Sequence, residues 1–489
     1  MGLVGQTEGQ PAIKMIAVKT TPMSSKWRLR PRERRTLLLL GDLVMAEIGL
    51  FVGLFVWSVA DKFQVFGLTF ISRTPSWFFF LPFVWPLLMS RLYEEHRARD
   101  RGQTLRNIAF SALIGLGLYM VFYFATSDPN TLPRIGVAAF IISVFILTLI
   151  WRFFYIKVFT APQFMRRVLL VGAGETGKIM LNIYNRIKPR PYILVGIIDD
   201  DPQKIGKTIE GYEVFGGCDA LLNTITEHQI TDLIVAISGQ MQGGMFQALL
   251  DAQEVGAEII RMPVAYEEML HRVPILYLEA EWILRSFVDK ARSETFAEMA
   301  KRGIDILGGL VGMVILILLF PFVAIPILVE SGRPVIYKQV RMGRGGILYD
   351  IFKFRTMRQD AEAAGQPQWA EENDRRATKV GLLLRKTHID EIPQFYNVLR
   401  GEMSLVGPRA ERPELVEWFQ KHVPFYRARL LVRPGITGWA QVNQQYASTI
   451  DETIEKLEYD LYYIMHRNVF MDLRIIARTP FLVFSLRGR

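Results

Sequence analysis

Four long apolar runs in the first third of the chain constrain its fold more strongly than any other feature of the sequence. Each run is close to the roughly 20 residues that a helix needs to cross the hydrocarbon core of a bilayer. Half of the 489 residues are hydrophobic, and the mean hydropathy is +0.19. The sequence therefore predicts a membrane protein that begins with a four-helix transmembrane bundle. The runs extend over residues 36–60, 76–92, 105–126 and 135–155.

The basic residues that flank these runs predict how the bundle is oriented. Arginines cluster before the first run, between the second and third runs, and after the fourth, whereas the other two loops carry only Lys62, Arg73 and Arg134. Because Lys and Arg are enriched in cytoplasmic loops, both ends of the bundle are expected in the cytoplasm. Asp42 and Glu47 lie inside the first run. Acidic side chains at such positions are costly and usually face a partner or water.

Composition limits the remaining possibilities. The start of the chain is polar and lacks hydrophobic periodicity, so residues 1–30 are predicted to be disordered and residues 31–160 to form the bundle. The net charge of +10 fits an anionic membrane surface or phosphate-bearing substrates. No zinc-ligand spacing or RNA-binding aromatic motif accompanies this charge, so nucleic acid is not an expected partner. A single cysteine, Cys218, excludes an internal disulfide and agrees with a cytoplasmic soluble portion.

Residues 161–290 show the alternating strand and helix signals that are typical of a doubly wound α/β domain. A buried strand is followed by a glycine loop that contains Gly172, Gly174 and Gly177. A helical stretch and a second strand come next, and that strand ends at Asp199. In dinucleotide-binding folds such glycines allow close backbone approach to phosphate, and the acid reaches a ribose hydroxyl. The sequence predicts a Rossmann-like domain with these residues as candidate ligand contacts; catalysis is not expected there, and nucleotide binding stays open.

A fifth apolar segment, residues 304–329, is long enough to cross a bilayer but has basic residues on both sides. Lys301 and Arg302 precede it, and the region that follows is rich in Lys and Arg. Basic flanks favour a cytoplasmic location for both ends. Pro321 and Pro326 interrupt the run, and an internal proline removes a hydrogen bond and bends a helix. The sequence therefore predicts a re-entrant helix that breaks at Pro321, with a plain fifth span as the alternative.

Two adjacent carboxylates, Asp390 and Glu391, form the clearest candidate for a catalytic site. They lie among basic residues and between loops rich in glycine and proline. This combination suits phosphate chemistry, because cations neutralise phosphoryl oxygens and a carboxylate can act as nucleophile or hold a divalent metal. Arginine is favoured as a phosphate contact for its bidentate fork. The candidate phosphate-binding cations are Lys353, Arg355, Arg385, Arg409 and Arg433.

The acid pair is one of several motifs in residues 296–489. The others are Lys301-Arg302 with Asp305, the stretch 353–357, the stretch 407–409 and the block 433–442. In this order they resemble the bacterial sugar transferase family, whose members are polyprenyl-phosphate hexose-1-phosphate transferases, also called monotopic phosphoglycosyl transferases. The layout of the whole chain resembles the long-form members, which initiate exopolysaccharide or O-antigen assembly. One departure is Phe320-Pro321 at the predicted break, where many relatives have Ser-Pro.

The resemblance implies a catalytic α/β domain over residues 296–489 and a function for its acid pair. Asp390 would attack the sugar-linked phosphate of a UDP-sugar and form a covalent phosphosugar, which undecaprenyl phosphate accepts after UMP has left. Glu391 would hold Mg²⁺ or orient the site. UDP-glucose is the first candidate donor and UDP-galactose the second. The implied location is the bacterial inner membrane with soluble domains in the cytoplasm; a second copy of the chain and other polysaccharide-assembly proteins are partners that the resemblance leaves open.

Other interpretations stay open at this stage. An NAD-dependent nucleotide-sugar enzyme needs a Tyr-x-x-x-Lys pair well downstream of the glycine loop, but Tyr184 and Lys188 lie on the first helix. A non-catalytic membrane scaffold or nucleotide sensor of a polysaccharide export system would tolerate Asp390→Asn. The terminal stretch 469–489 suits either interfacial helices or a helix packed on the catalytic domain. Trp439 suits either the core or a membrane interface.

Overall fold

The fold is known from a computed structural model of the 489-residue chain. The predicted disorder of residues 1–30 concerns a part of the chain that lies outside the described residues. The structure describes residues 31–60, 65–93, 101–125, 134–159, 165–188, 190–239, 241–277, 295–358, 376–444 and 449–484.

The N-terminal part is built from long apolar helices. It contains α1 (Pro31–Ala60), α2 (Leu68–Arg73), α3 (Leu81–Leu88), α4 (Arg101–Ala125) and α5 (Arg134–Phe159), with 3₁₀ turns at Ser76–Phe80 and Ser90–Tyr93. α1 packs along α5 and also contacts α3. Within the described residues, the helices long and apolar enough to cross a membrane are Glu33–Ala60, Arg101–Phe124, Arg134–Val158 and Ala297–Ser331.

The second predicted span is shorter in the structure than in the sequence pattern. Ser76–Leu88 is a short apolar helix that begins with the 3₁₀ turn. Pro82 lies in the first turn of α3 and Pro86 lies inside it, and neither residue has the N–H that would extend the helical hydrogen bonding. The chain therefore has several apolar helices capable of spanning a membrane, while a bundle of four spanning helices stays a prediction.

The acidic residue Asp42, inside the first apolar run, has a basic partner. Asp42 and Arg152 are fully buried and form an ion pair, in which Arg152 Nε donates to Asp42 Oδ1 at 3.1 Å. Tyr93 OH donates to the same carboxylate at 2.8 Å, and Arg152 also donates to the Leu92 carbonyl. A buried ion pair is tolerated when hydrogen bonds satisfy both partners. The pair links α1 to α5, whereas Glu47 is only half-buried.

The predicted Rossmann-like domain forms a compact unit of residues 162–184 and 192–261. Its elements are β1 (Arg167–Val171), α6 (Glu175–Arg186), β2 (Ile193–Ile198), β3 (Thr208–Ile209), β4 (Tyr212–Gly216), α7 (Leu221–His228), β5 (Asp232–Val235), α8 (Gly243–Glu254) and β6 (Glu258–Arg261). The strand order is β3-β4-β2-β1-β5-β6, and only the pairing of β3 with β4 is antiparallel. The chain winds outward from β1 in both directions, which confirms the Rossmann-like prediction.

The other compact unit holds the apolar helices and the chain from Met262 onward. After that residue its elements are α9 (Met262–Leu270), α10 (Thr295–Ser331), β7 (Ile336–Met342), β8 (Leu348–Phe354), α11 (Lys379–Lys386), α12 (Gln394–Arg400), β9 (Ser404–Val406), α13 (Pro413–His422), β10 (Gly435–Thr437), α14 (Trp439–Asn443), α15 (Ile450–His466) and α16 (Val469–Phe484). β7 and β8 form an antiparallel hairpin, and β9 pairs with β10 in parallel. Trp439 is buried in the core of this unit together with Leu461 and Ile475.

Two helices of this unit bear on the membrane predictions. α10 remains helical through Pro321 and Pro326, and the re-entrant break stays a prediction. At about 1.5 Å per residue, its 37 residues extend over about 55 Å, more than the thickness of a bilayer core. α16 packs on the hydrophobic core around Trp439, with Ile475 buried and a hydrogen bond of 2.8 Å between the hydroxyls of Thr479 and Thr437. Packing on the catalytic domain is thus the arrangement observed for residues 469–480.

Candidate active site

The acid pair stands in a tight turn between two short helices. α11 begins at an N-cap formed by Thr378 and ends shortly before His388. His388 has a left-handed backbone conformation with φ of 55°, which turns the chain into a 3₁₀ turn over Ile389–Glu391. Burial lowers the pKa of its imidazole, which favours the neutral form of the ring. Asp390 and Glu391 are both buried, with exposed fractions of 8% and 9%.

Glu391 is held in two ion pairs. Lys353 Nζ and Arg409 Nη2 each donate to Glu391 Oε1 at 2.8 Å. Burial by itself raises the pKa of Glu391, but the charges and hydrogen bonds of Arg409 and Lys353 outweigh burial and hold this pKa well below its usual range. Glu391 is therefore ionised at neutral pH and fixes the two cations beside it.

Asp390 is equally buried but has a different environment. Among the described residues, none donates a hydrogen bond to its carboxylate. Burial raises the pKa of Asp390 to about 6; the charge of Lys353 acts against burial, and the neighbouring Glu391 carboxylate adds to it. At neutral pH the group is therefore mostly ionised. Adjacent carboxylates with separated pKa values are suited to separate chemical roles.

Arg409 extends toward the acid pair from a loop whose backbone is closely packed. This loop follows β9, which pairs with β10. Gly407 N–H donates to the Thr437 carbonyl at 2.9 Å, and Gly435 N–H donates back to the loop at 2.9 Å. A Cβ on Gly407 or Gly435 would collide with backbone atoms of the opposite segment, so only glycine allows this approach. The glycines of the two motifs thus fix the direction from which Arg409 reaches Glu391.

A buried network that the sequence reasoning did not single out holds the backbone of Arg409. Arg429 Nη2 donates to the Arg409 carbonyl at 3.1 Å and to Asp460 Oδ2 at 2.8 Å. Arg429 Nη1 donates to Tyr426 OH at 2.7 Å, and Arg341 donates to the next carbonyl of the loop at 3.0 Å. Arg429 and Asp460 are 31 residues apart, so no local pattern could have paired them.

The remaining predicted cations lie in different surroundings. Arg385, near the end of α11, lowers the pKa of Asp390 through its charge, so the structure brings it close to the pair together with Lys353 and Arg409. Arg355 donates instead to the carbonyl of Arg333 at 3.0 Å. Arg433 is half-buried and forms no hydrogen bond or ion pair with another described residue.

The motif at the start of α10 has a structural function. Lys301 Nζ donates to the Val406 carbonyl at 3.0 Å and to Asp472 Oδ2 at 2.7 Å. Arg302 donates to carbonyls at the end of α12, and Asp305 Oδ1 accepts hydrogen bonds from Ser404 Oγ and from the following N–H. These side chains attach α10 to β9, the strand that leads into the Arg409 loop.

Asp390 and Glu391 are also the candidate ligands for a metal ion. In the part of the chain that the structure describes, no group of three or more His, Cys, Asp or Glu side chains is arranged to hold one. Mg²⁺ in nucleotide sites commonly takes only one or two carboxylates and completes its octahedron with phosphate oxygens and water. Asp390 and Glu391 supply that number of oxygen donors beside cations suited to a diphosphate. The donor set therefore fits Mg²⁺, and Glu391 would be the residue that holds it.

In the Rossmann-like domain, the predicted ligand residues contact each other. Gly172 has φ of 103°, and a Cβ on Gly177 would collide with the Gly172 carbonyl, so the turn requires both glycines. A Cβ on Gly174, by contrast, would meet no atom within 4 Å. Asp199 Oδ2 accepts from the Ala173 N–H at 2.6 Å. Asp199 also accepts from the N–H of Asp201 and from the ammonium of Lys204. The carboxylate expected at a ribose is thus engaged within the domain.

The tyrosine of the dehydrogenase alternative is also engaged. Tyr184 is buried, and its hydroxyl donates to the Tyr192 carbonyl at 2.7 Å and accepts from the Leu194 N–H at 3.2 Å. A hydroxyl held in this way between backbone groups has no access to a ligand.

Comparisons with known proteins match two regions of the chain. The model of the bacterial sugar transferase family matches residues 296–486, and a model described as a CoA-binding domain matches residues 89–263. One relative is a UDP-N-acetylgalactosamine-undecaprenyl-phosphate N-acetylgalactosaminephosphotransferase from Aeromonas hydrophila. The two chains are 45% identical over 179 residues, and this match covers 37% of this chain and 42% of that protein. A second relative is an undecaprenyl-phosphate glucose phosphotransferase from Komagataeibacter xylinus. The two chains are 30% identical over 320 residues, and this match covers 64% of this chain and 58% of that protein.

The chain thus spans about half the length of these two relatives. A third relative is covered more completely. It is a UDP-glucose:undecaprenyl-phosphate glucose-1-phosphate transferase from Caulobacter vibrioides, 38% identical over 188 residues, which cover 37% of this chain and 68% of that protein. The matched region includes the acid pair and all five candidate cations. The chain belongs to the bacterial sugar transferase family.

Proposed function

We propose that this chain transfers a hexose 1-phosphate from a UDP-sugar to undecaprenyl phosphate and releases UMP. The observation that carries the proposal is the contrast within the acid pair. Asp390 is buried without a hydrogen-bond donor among the described residues, whereas Glu391 is paired with Lys353 and Arg409. A carboxylate of the first kind is suited to attack phosphorus, and one of the second kind holds the cations that a diphosphate requires.

The reaction proceeds in two displacements. In the first, a carboxylate oxygen of Asp390 attacks the sugar-linked phosphorus and forms a P–O bond, while the bond to the bridging oxygen breaks and its electron pair leaves with UMP. In the second, a phosphate oxygen of the lipid attacks the same phosphorus, and the Asp390 carboxylate leaves with its electron pair. No net proton transfer is needed, and the two half-reactions predict ping-pong kinetics.

The cations around the pair stabilise the charge of the transferred group. Lys353 and Arg409 are held beside Asp390 by Glu391, and Arg385 adds a third positive charge. Arg433, half-buried and without a described partner, is suited to contact a substrate phosphate. Mg²⁺, held by Glu391 and by substrate oxygens, would supply further neutralisation of the diphosphate.

The donor sugar is proposed from the names of the relatives. Glucose appears in the names of the Komagataeibacter xylinus and Caulobacter vibrioides proteins, which supports UDP-glucose as the first candidate. N-acetylgalactosamine appears in that of the Aeromonas hydrophila protein, which makes UDP-N-acetylgalactosamine the main competitor. The product would initiate an exopolysaccharide or O-antigen, and the Rossmann-like domain would have an accessory function.

The proposed location is the cytoplasmic face of the bacterial inner membrane, with α10 re-entrant. Both halves of α10 pack on one catalytic domain: Asp305 bonds to β9, and Glu330 accepts from the first N–H groups of α11. The outward face between them is apolar and exposed, as at Leu307 and Phe322. A helix that crossed the whole bilayer could not keep one soluble domain at both of its ends. This supports a helix that enters one leaflet and stays on one side.

The test is release of UMP from a panel of UDP-sugars by the purified full-length protein with undecaprenyl phosphate and Mg²⁺. We expect release from one sugar, dependent on the lipid for multiple turnovers. Without lipid, one equivalent of phosphosugar should stay covalently attached to the protein. Absence of release from every sugar, with folded protein and an active control enzyme, would overturn the proposal.

A further inference from the structure

The segment that follows the Rossmann-like domain belongs structurally to the catalytic domain. We call residues 262–277 the connecting segment; it comprises α9 and the 3₁₀ turn Ile275–Tyr277. It begins directly after β6 and lies in the compact unit of the catalytic core. All but its first two residues fall between the two family matches, which end at residue 263 and begin at residue 296. Neither match accounts for the contacts that it makes.

The connecting segment fills part of the catalytic core with its own side chains. Val273 and Ile275 are 0% and 1% exposed, and they lie in the same hydrophobic cluster as Trp439 and Leu461. The next side chain, Leu276, is 50% exposed. Because a fully buried aliphatic residue has no space to move without leaving a cavity, these two positions fix the segment in the core.

Polar contacts fix the connecting segment to α15. Tyr266 OH donates to Glu458 Oε2 at 3.0 Å, and Val273 N–H donates to the Glu458 carbonyl at 3.1 Å. His466 Nε2 lies 2.8 Å from Glu267 Oε2. Arg272 forms ion pairs with α15 as well. Hydrogen bonds and ion pairs from residues 266–273 thus hold the segment against α15.

One further contact reaches the motif block 433–442. Trp439 Nε1 donates to the His271 carbonyl at 2.9 Å. His271 has φ of 54°, a conformation that side-chain-bearing residues rarely adopt and that aims this carbonyl at the indole. Trp439 begins α14 immediately after β10. β10 in turn pairs with the segment that carries Arg409 to Glu391.

We propose that the connecting segment is a positioning element of the active site, in which Ile275 and the His271 carbonyl hold Trp439 and thereby the β9–β10 pair that aims Arg409. None of its residues needs to touch substrate. Its function is to keep the motif block in the geometry in which Glu391 and Arg409 pair. Its effect on turnover rests on the proposed transferase function, whereas its effect on the motif block does not.

The test compares Ile275→Ala with Leu276→Ala in the full-length protein. Both changes remove aliphatic side-chain carbons, but only the first side chain is buried. Hydrogen–deuterium exchange is followed in peptides that cover residues 433–444, and kcat/KM for UMP release is measured well below the melting temperature. We expect Ile275→Ala to accelerate exchange in the motif block and to lower kcat/KM by about tenfold, equivalent to about 1.4 kcal/mol, mainly through kcat. Leu276→Ala should change neither quantity.

Two further variants keep the test decisive. Ile275→Val removes a single methyl group and should give the same pattern at smaller amplitude, which covers the case in which the alanine variant does not fold. Trp439→Phe keeps a ring but removes the N–H donor, and it should accelerate exchange at residues 271–275 in return. Faster exchange confined to residues 262–277, with an unchanged motif block and unchanged kcat/KM, would overturn the proposal. If wild type itself releases no UMP, the transferase function fails and the exchange data still decide on the connecting segment.

Discussion

Asp199 and Asp390 are both buried acids beside glycine loops, but they differ in the hydrogen-bond donors that reach the carboxylate. Asp199 accepts hydrogen bonds from the N–H groups of Ala173 and Asp201 and from the ammonium of Lys204. Asp390 accepts none from the described residues, although cations surround it at longer range. The pKa of Asp199 is lowered and that of Asp390 is raised to about 6. An acid whose donors all lie inside the fold stabilises the fold, whereas a buried acid without such donors is a candidate for contact with a ligand.

The strongest way to break this comparison is Asp390→Asn. Loss of the nucleophile should lower kcat/KM for UMP release by at least about 10⁴-fold and abolish the covalent phosphosugar. The matched control is Asp350→Asn, because Asp350 is an exposed acid on the same domain. The Asp350→Asn variant should release UMP at the wild-type rate. Turnover in Asp390→Asn near the wild-type rate, by the same UMP assay, would exclude Asp390 as the nucleophile.

The pH dependence should report the environment of Asp390. Because its pKa is raised to about 6 and only the carboxylate attacks, kcat/KM should rise with pH up to about 6 and level off above. The charge of Glu391 is one cause of that raised pKa, so Glu391→Gln should move the rise to lower pH while lowering the plateau by about 10²- to 10³-fold. Initial rates between about pH 4 and about pH 8, roughly two units either side of this pKa, are the measurement. A shift to higher pH would contradict the assignment of the two carboxylates.

A smaller effect is expected from the network behind Arg409. Arg429→Gln removes the donor to the Arg409 carbonyl and leaves Asp460 buried without its cation. Breaking such a pair costs about 3–5 kcal/mol of stability, and misplacing Arg409 should lower kcat by about tenfold to 10²-fold. Arg427→Gln is the control, since Arg427 is exposed two residues away and should retain both stability and kcat. A lower melting temperature with unchanged kcat in Arg429→Gln would mean that Arg409 is positioned by other contacts.

The two regions also differ in how much of them the sequence predicts. The strand, glycine loop, helix and acid of the Rossmann-like domain are neighbours in the chain, so local periodicity and spacing predict them and their contacts. At the acid pair, the sequence motifs predict the cluster of Lys353, Arg385 and Arg409. They do not rank the two carboxylates, because burial and hydrogen-bond partners decide that, and those depend on packing.

Long-range packing also explains what the sequence missed elsewhere. Asp42 finds its partner 110 residues away, and Arg429 finds Asp460 at a distance of 31 residues. In the connecting segment, only the fold shows that Ile275 lies in the core around Trp439. The second apolar run forms a shorter helix than its composition predicts for a local reason, since Pro82 and Pro86 limit the helical hydrogen bonding.

The smallest effect is expected at Asp199, the other acid of the comparison. Asp199→Asn replaces an acceptor of several donors by an amide that can accept at only one atom, so the change should cost about 1–3 kcal/mol of unfolding free energy. Although burial raises the pKa of Asp199, the N–H donors and Lys204 outweigh it and lower the pKa in the folded state. The stabilisation is therefore present above the usual value of 3.8 and is lost as pH falls below it, so wild type and variant should converge in acid. The measurement is hydrogen exchange of peptides that cover β1 and the glycine loop, followed from pH 7 to about pH 3. It gives the difference in opening free energy between wild type and variant for this domain alone. A difference that persists in acid would mean that Asp199 acts through its shape and not through its charge, and the contrast with Asp390 would then rest on hydrogen-bond partners alone.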